Sequence, residues 1–186
     1  MTATLVALLR GVNVGRANRV AMADLRALLE DLGYDDVRTL LNSGNAVFSV
    51  SGRAADTTAE SARIEEALGS RLAIRARVIV VGSGDLADAI AESPLGEVAD
   101  DPARLLVAFP SRPADLEGLA PLTNRDWAPE AVAVGSRAAY LWCPGGVAES
   151  RLSKEVSRAL GDRYTARNWA TVLKLEALVA AGETSA

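Results

Sequence analysis

The sequence predicts an α+β fold of tandem ferredoxin-like (β-α-β-β-α-β) subdomains with extra linking and C-terminal helices. Three features of the chain point there. Runs that are apolar but for Thr4 and the opening Arg104 stand at 3–9 ("ATLVALL") and 104–109 ("RLLVAF"), the pattern of strands covered on both faces. Behind each run, helical and strand-like segments follow in the same order, which is that of a split β-α-β unit. Between the two series lies "PLGEVADDP" at 94–102, acidic and rich in turn formers. The expected subdomains are 1–82 and 104–181, the second including the C-terminal helix, joined by a linking helix and loop at 83–103.

In the first series Met22, Leu25, Leu28, Leu29 and Leu32 recur at helical spacing, and Gly33 stands where a C-cap belongs. "VRTLL" (37–41) and "AVFSV" (46–50) read as strands joined by the turn Asn42-Ser43-Gly44-Asn45. Thr57 or Thr58 is expected to cap a second helix with the stripe Ile64, Leu68 and Leu72, fraying at Gly69. "IRARVIVV" (74–81) closes the series as a strand, and 83–93 forms an extra helix capped by Ser83. In the second series a short helix follows Pro113 as far as Gly118. "AVAV" (131–134) and "AAYLW" (138–142) form a hairpin about Gly135-Ser136. Residues 149–160 read as helix, "RYTA" (163–166) as a short strand, and Asn168 to Ala180 as the last helix.

Composition narrows the chemistry. At 186 residues and net charge −4, with 49% apolar residues, the chain suits a globular protein with a sizeable core. No stretch approaches the roughly 20 apolar residues of a membrane helix, and no basic segment with a cleavage site opens the chain. The expectation is a cytoplasmic protein without membrane contact, which the single cysteine, Cys143, fits. Histidine is absent, which excludes Ser–His–Asp and Cys–His nucleophile systems and His-containing zinc sites. Asp24, Asp35, Asp36, Asp100 and Asp101 read as solvated charges and form no metal array.

The distribution of charge is less even than its sum. No acidic residue precedes Asp24, whereas Arg10, Arg16 and Arg19 do. In the expected sheet order 4-1-3-2, the loop after strand 1 ("RGVNVGRANR") and the turn between strands 2 and 3 ("NSGN") share one end. Strand 4 starts at that end too, near Arg71 and Arg75. Arg10, Gly11, Asn13, Ser43, Gly44 and Asn45 then form one candidate patch for ligand binding. Glycine and asparagine turn backbone N–H groups outward, and arginine offers a planar fork to carboxylate or phosphate. The same residues also suit a purely structural role, with the glycines in tight turns and Arg10 ion-paired. No Gly-Lys-Ser/Thr follows, so this is no Walker loop, and Gly11-x-x-x-Gly15 is no dinucleotide fingerprint; the sequence names no cofactor.

A second acid-free window, "RYTARNWATVLK" (163–174), contains Arg167 and Asn168. Asn168 can cap the last helix, whose first N–H groups suit an anion, while capping plus a buried Trp169 is the simpler account. Cys143 reads as a core or loop thiol, and Ser150 or Ser153 beside Lys154 as helix capping and solvated charge rather than a serine–lysine dyad.

"LLRGVNVG", "LNSGNAVF" and "TARNWATVLKL", in this order, resemble the bacterial domain-of-unknown-function family 1697. The residues carrying the resemblance are Leu9, Arg10, Gly11 and Asn13, then Ser43, Gly44 and Asn45, then Thr165, Arg167, Asn168 and Trp169. Ala166, often threonine in the family, and Ser93-Pro94-Leu95, where asparagine, proline and an aromatic are usual, depart from the pattern. The resemblance implies a cytoplasmic α+β protein similar to tandem ferredoxin-like folds, with no established activity.

Three functions fit these residues. The first is a site for a small anionic ligand bearing phosphate or carboxylate. The second is an interaction module, including a homo-oligomer, in which the arginines only dock surfaces. The third is nucleic-acid binding on a sheet face, with Tyr140 and Trp142 as a stacking platform; the negative net charge opposes it.

Overall fold

The computed structural model describes residues 2–15, 18–52, 54–95 and 99–183. The chain divides into two compact units, one of residues 1–84 with 175–186, the other of 85–174. Each holds one four-stranded antiparallel sheet.

The first unit runs β1 (Thr2–Arg10), α1 (Met22–Asp31), β2 (Asp35–Leu40), β3 (Asn45–Ser51), α2 (Thr57–Leu72) and β4 (Arg77–Gly82), with sheet order β2-β3-β1-β4. β1 is bonded along both edges, to β3 and to β4, which is why it carries no charge before Arg10. Leu5, Ala7 and Leu9 join the core under α1 and α2, which Leu25, Leu29, Ile64 and Leu68 fill. Val6 and Leu8, on the opposite face, are fully buried as well.

Local chemistry moves several boundaries. The cap of α2 is Asp56, not Thr57 or Thr58: its Oδ1 accepts from the N–H groups of Thr58 (2.9 Å) and Ala59 (3.2 Å). A carboxylate there also meets the positive end of the helix dipole. α2 continues past Gly69 because Leu72 still packs on the core. It ends at Ala73, left-handed at φ 55°, where the Ile74 N–H bonds back to the Leu68 carbonyl. Ile74 therefore belongs to the helix end, and β4 starts at Arg77.

Beneath the α1–β2 connection lies a buried polar cluster. The Tyr34 hydroxyl donates to Glu60 Oε2, with the Arg63 guanidinium 5.3 Å from the Tyr34 ring centroid and the Phe48 ring 4.4 Å away. Burial, reinforced by Glu60, pushes the Tyr34 pKa up to about 12. Across β2, Arg38 donates to the Leu178 carbonyl at 2.7 Å, and a side chain at Gly182 would collide with its guanidinium.

α3 (Ser83–Ala91) starts at Ser83 itself. Of the expected linker, 96–98 lie outside the described residues. The second unit continues with β5 (Leu105–Pro110), a 3-10 helix (Pro113–Leu119), α4 (Ala120–Thr123), β6 (Ala131–Val134), β7 (Ala139–Trp142), α5 (Arg151–Leu160) and β8 (Tyr164–Asn168), in the sheet order β6-β7-β5-β8; α6 (Trp169–Glu183) starts in this unit and from Leu175 on belongs to the first. The helix expected to stop at Gly118 runs on into α4, anchored by buried Leu116, Leu119 and Leu122. Buried Asp115 accepts from the Arg112 backbone and from Arg163 Nη1 at 2.9 Å, tying the end of β5 to the approach to β8. The β6–β7 hairpin closes through Gly135 N–H to the Ala138 carbonyl at 2.8 Å, so its tip is Ser136-Arg137, one residue later than the sequence suggests.

The aromatic platform is not there. Tyr140 is 0% exposed, with its hydroxyl donating to the Ala89 carbonyl at 2.6 Å, and Trp142 is 9% exposed. Phe48 is enclosed in the first core. Trp169 is half-buried rather than buried, while Trp127, which carried no sequence signal, is buried and donates to the Leu122 carbonyl. Cys143 is buried 3.4 Å from Ser150 Oγ, and burial pushes its thiol pKa up. Ser150 caps α5 through the Ser153 N–H, the role expected of it.

The raised Tyr34 pKa fixes a pH dependence. Between about pH 10, where an unfolded tyrosine titrates, and about 12, the folded chain holds a proton that the unfolded chain has lost. Stability therefore falls as pH rises through that window, and Tyr140, raised to about 12 by burial, acts in the same direction. Urea titrations across that window should show a shallower fall for Tyr34→Phe. At neutral pH the same variant should lose about 1–3 kcal/mol, the cost of removing a donor from a buried carboxylate.

Candidate functional site

At the end of the first sheet, β1 hands over to a loop whose backbone needs left-handed residues: φ is +71° at Gly11, +57° at Asn13, +68° at Gly15 and +50° at Asn18. Asparagine tolerates that region better than most side chains. The Asn13 N–H bonds to the Asn18 carbonyl at 3.0 Å, closing the loop on itself. The Asn13 side chain does more. Its Oδ1 accepts from the Val20 N–H at 3.0 Å, and its Nδ2 donates to the Val20 carbonyl at 2.9 Å and to the Asn42 carbonyl at 2.6 Å. One amide thus gathers both stems of the loop and fastens them to the β2–β3 turn. Val12 and Val20, 3% and 5% exposed, pack beneath.

The turn is shaped to receive the loop. Leu9 N–H bonds to the Gly44 carbonyl at 2.8 Å. A Cβ at Gly44 would lie 2.5 Å from Val12 Cγ2 and 2.8 Å from Leu9 Cβ, and φ there is +77°. Only glycine meets both demands. Asn45 is fully buried and donates to the Leu40 carbonyl and to Ser43 Oγ, both at 2.9 Å, so the turn is braced from within. The structure therefore brings Arg10, Gly11, Asn13, Ser43, Gly44 and Asn45 to one sheet end. It uses Asn13, Gly44 and Asn45 for internal bonding and packing.

Arg10 has a different placement. It is half-buried at the last position of β1, opposite Arg77 of β4. By strand alternation it shares the sheet face of Val6, Leu8 and Asn45, away from α1 and α2. Of the other cations near this end, Arg77 pairs with Glu65 and Arg71 with Asp31, both at 3.2 Å, while Arg75 is exposed. Arg19 donates to the Gly15 carbonyl, and Arg16 lies outside the described residues.

The second window belongs to the second unit. Arg167, on β8 opposite Val107, donates through Nη1 to Thr165 Oγ1 at 3.0 Å and to the Ala166 carbonyl at 2.8 Å. Burial lowers its pKa to about 10, which still leaves it cationic at neutral pH. Asn168 caps α6 as expected, its Oδ1 accepting from the Thr171 N–H at 2.9 Å. The amides expected to be free for an anion are partly occupied, because Ala170 N–H also bonds to the Pro102 carbonyl. Ser153 and Lys154 lie on α5, where Ser153 supplies the capped amide rather than half of a catalytic pair.

Among the described residues, no group of three or more Cys, Asp or Glu side chains is placed to hold a metal, and no helix is long and apolar enough to cross a membrane. Two antiparallel four-stranded sheets with packed helices, one bearing an arginine-ended loop, define a two-unit α+β protein. The chain belongs to the family described as "Protein of unknown function (DUF1697)", which matches residues 1–140. Its fold is similar to that of conserved bacterial protein SP0830 from Streptococcus pneumoniae, with a TM-score of 0.73 and 22% identity over 95% of this chain and 98% of that one. No curated protein matches the sequence.

The bonding of loop to turn predicts which substitutions matter for the scaffold. Gly44→Ala should lower the unfolding free energy by about 2–4 kcal/mol, from overpacking and left-handed strain together. Asn13→Ala should cost about 2–3 kcal/mol in the same urea titration and speed hydrogen exchange of the Val20 amide, whose acceptor it removes.

Proposed function

We propose that the protein binds a small anionic ligand, bearing phosphate or carboxylate, at the loop-and-turn end of the first unit, with Arg10 as the charged anchor. The observation that carries this reading is the position of Arg10. It stands across the ladder from Arg77, beside a loop whose backbone is left-handed at Gly11, Asn13 and Gly15. Gly11, Asn13, Ser43, Gly44 and Asn45 hold that backbone in place, and the exposed Ser43 hydroxyl lies at the rim. In the second unit Arg167 on β8, with Asn168 just before α6, is the further cation assigned to ligand binding. The strand orders β2-β3-β1-β4 and β6-β7-β5-β8 support a tandem ferredoxin-like reading of the fold. The lone, buried Cys143 supports a cytoplasmic setting.

A second reading, an interaction or oligomerisation module, draws on Val14, which is 74% exposed on the same loop. Thermal unfolding with inorganic phosphate, pyrophosphate, ATP and citrate separates the two. A probe at about a hundredfold its dissociation constant stabilises the folded state by roughly 2.7 kcal/mol. The expected result is such a shift in wild type and its loss in a folded Arg10→Ala variant. No shift with any probe, together with an Arg10→Ala chain that changes its mass in solution, would sink the ligand and favour the module.

A further inference from the structure

β6 ends its sheet, and the order β6-β7-β5-β8 leaves its outer edge without a neighbouring strand among the described residues. The hairpin bond from Gly135 to Ala138 sets which groups face outward. Hydrogen-bonded pairs alternate along an antiparallel ladder, so Ala133 with Tyr140 and Ala131 with Trp142 bond inward. Val132 and Val134 therefore turn their N–H and C=O groups to the open edge. Their side chains share the sheet face of Leu141, which packs under the 3-10 helix and α4. Between that helical wall and β6 runs a groove of about 610 Å³. Pro113, Leu116, Ala120, Val132 and Val134 give it an apolar lining, and Val134 is 38% exposed. Among the described residues, Glu117 is the charged residue of the wall, and no Lys or Arg lines it.

We infer that this edge and groove take an extended peptide of a partner protein as an added strand. Main-chain pairing with Val132 and Val134 supplies the affinity, and alternate side chains fill the groove. Those alternate positions read apolar, basic, apolar, the basic one facing Glu117. A second copy of this chain, pairing edge to edge with its helical wall on the same side, would set a second Glu117 beside the first and offer no cation from its own lining. A single strand fits better.

The test uses the whole chain and fluorescein-labelled heptapeptides. One alternate set of positions is threonine; the other is valine-lysine-valine, with each valine varied in turn to alanine, leucine and phenylalanine. Saturable anisotropy binding is expected, with hydrogen-exchange protection gained at the Val132 and Val134 amides. Glu117→Lys and Val134→Pro should each weaken binding by about tenfold, whereas Arg10→Ala should leave it unchanged. Proline at an edge position whose N–H faces outward is compatible with the strand. If that variant nevertheless fails to fold, N-methylation of the peptide amides that face β6 must abolish binding to wild type. Absence of binding across the set, or binding indifferent to both Val134→Pro and N-methylation, would overturn the proposal. So would a concentration-dependent dimer of peptide-free protein that Val134→Pro dissolves, since the occupant would then be a second copy.

Discussion

Both units depend on a strand that is bonded along both edges and covered on both faces. A backbone so enclosed must satisfy every N–H and C=O within its ladders, and its side chains must be apolar in both directions. β1 meets those terms from Leu5 to Leu9, all of them buried, and β5 does so at Leu105 and from Val107 to Phe109. The rest follows from them. β3 and β4 exist as partners for β1, and α1 and α2 cover the face that carries Leu5, Ala7 and Leu9. The lack of acidic residues before Asp24 is thus partly a consequence of burial, since a carboxylate anywhere within the strand would be desolvated without a partner.

The loop after β1 answers a second constraint, which is backbone closure. Left-handed residues curl it, but they leave the amides and carbonyls of its two stems in search of partners. Asn13 meets that need with a side chain that has a donor group and an acceptor on one plane, and its second donation reaches the β2–β3 turn. Gly44 is then required on the other side, because the loop approaches too closely for any Cβ. Two sequence motifs separated by about thirty residues are two halves of one joint. Arg10 is the member of this group whose place that joint does not explain.

The element order and the apolar strands were legible because burial on two faces and helical periodicity leave direct marks on sequence. The joining of "RGVN" to "NSGN" was legible as proximity, from topology alone. Its chemistry was not. An asparagine that binds a ligand and one that binds two backbone segments look alike in one dimension, and only the carbonyls of Val20 and Asn42 tell them apart. The cap of α2 went to Asp56 rather than a neighbouring threonine because either residue type can cap and the choice is settled by one residue of register. Tyr140 and Trp142 looked like a platform because alternation places them on one face, but alternation does not say whether that face is covered. Trp127 carried no periodic signal at all, since it sits in an irregular segment and owes its burial to tertiary packing.

What the topology leaves unfinished differs between its ends and its edges. Sheet ends gather loops, so their chemistry is that of side-chain charge and turned amides, as at Arg10. Edges offer backbone groups, whose chemistry is hydrogen bonding without regard to sequence, and an exposed edge invites aggregation as readily as recognition. β6 answers that hazard by being four residues long. The tip of its hairpin is pinned by Glu92, which accepts from the Ser136 N–H at 2.8 Å and from its hydroxyl at 2.7 Å. Beyond that tip no ladder can extend, and on one side the wall bearing Glu117 stands over the strand. An edge so short and so confined has room for one strand of matching side chains and little for a growing sheet, which is the geometry of selective pairing rather than of open-ended assembly.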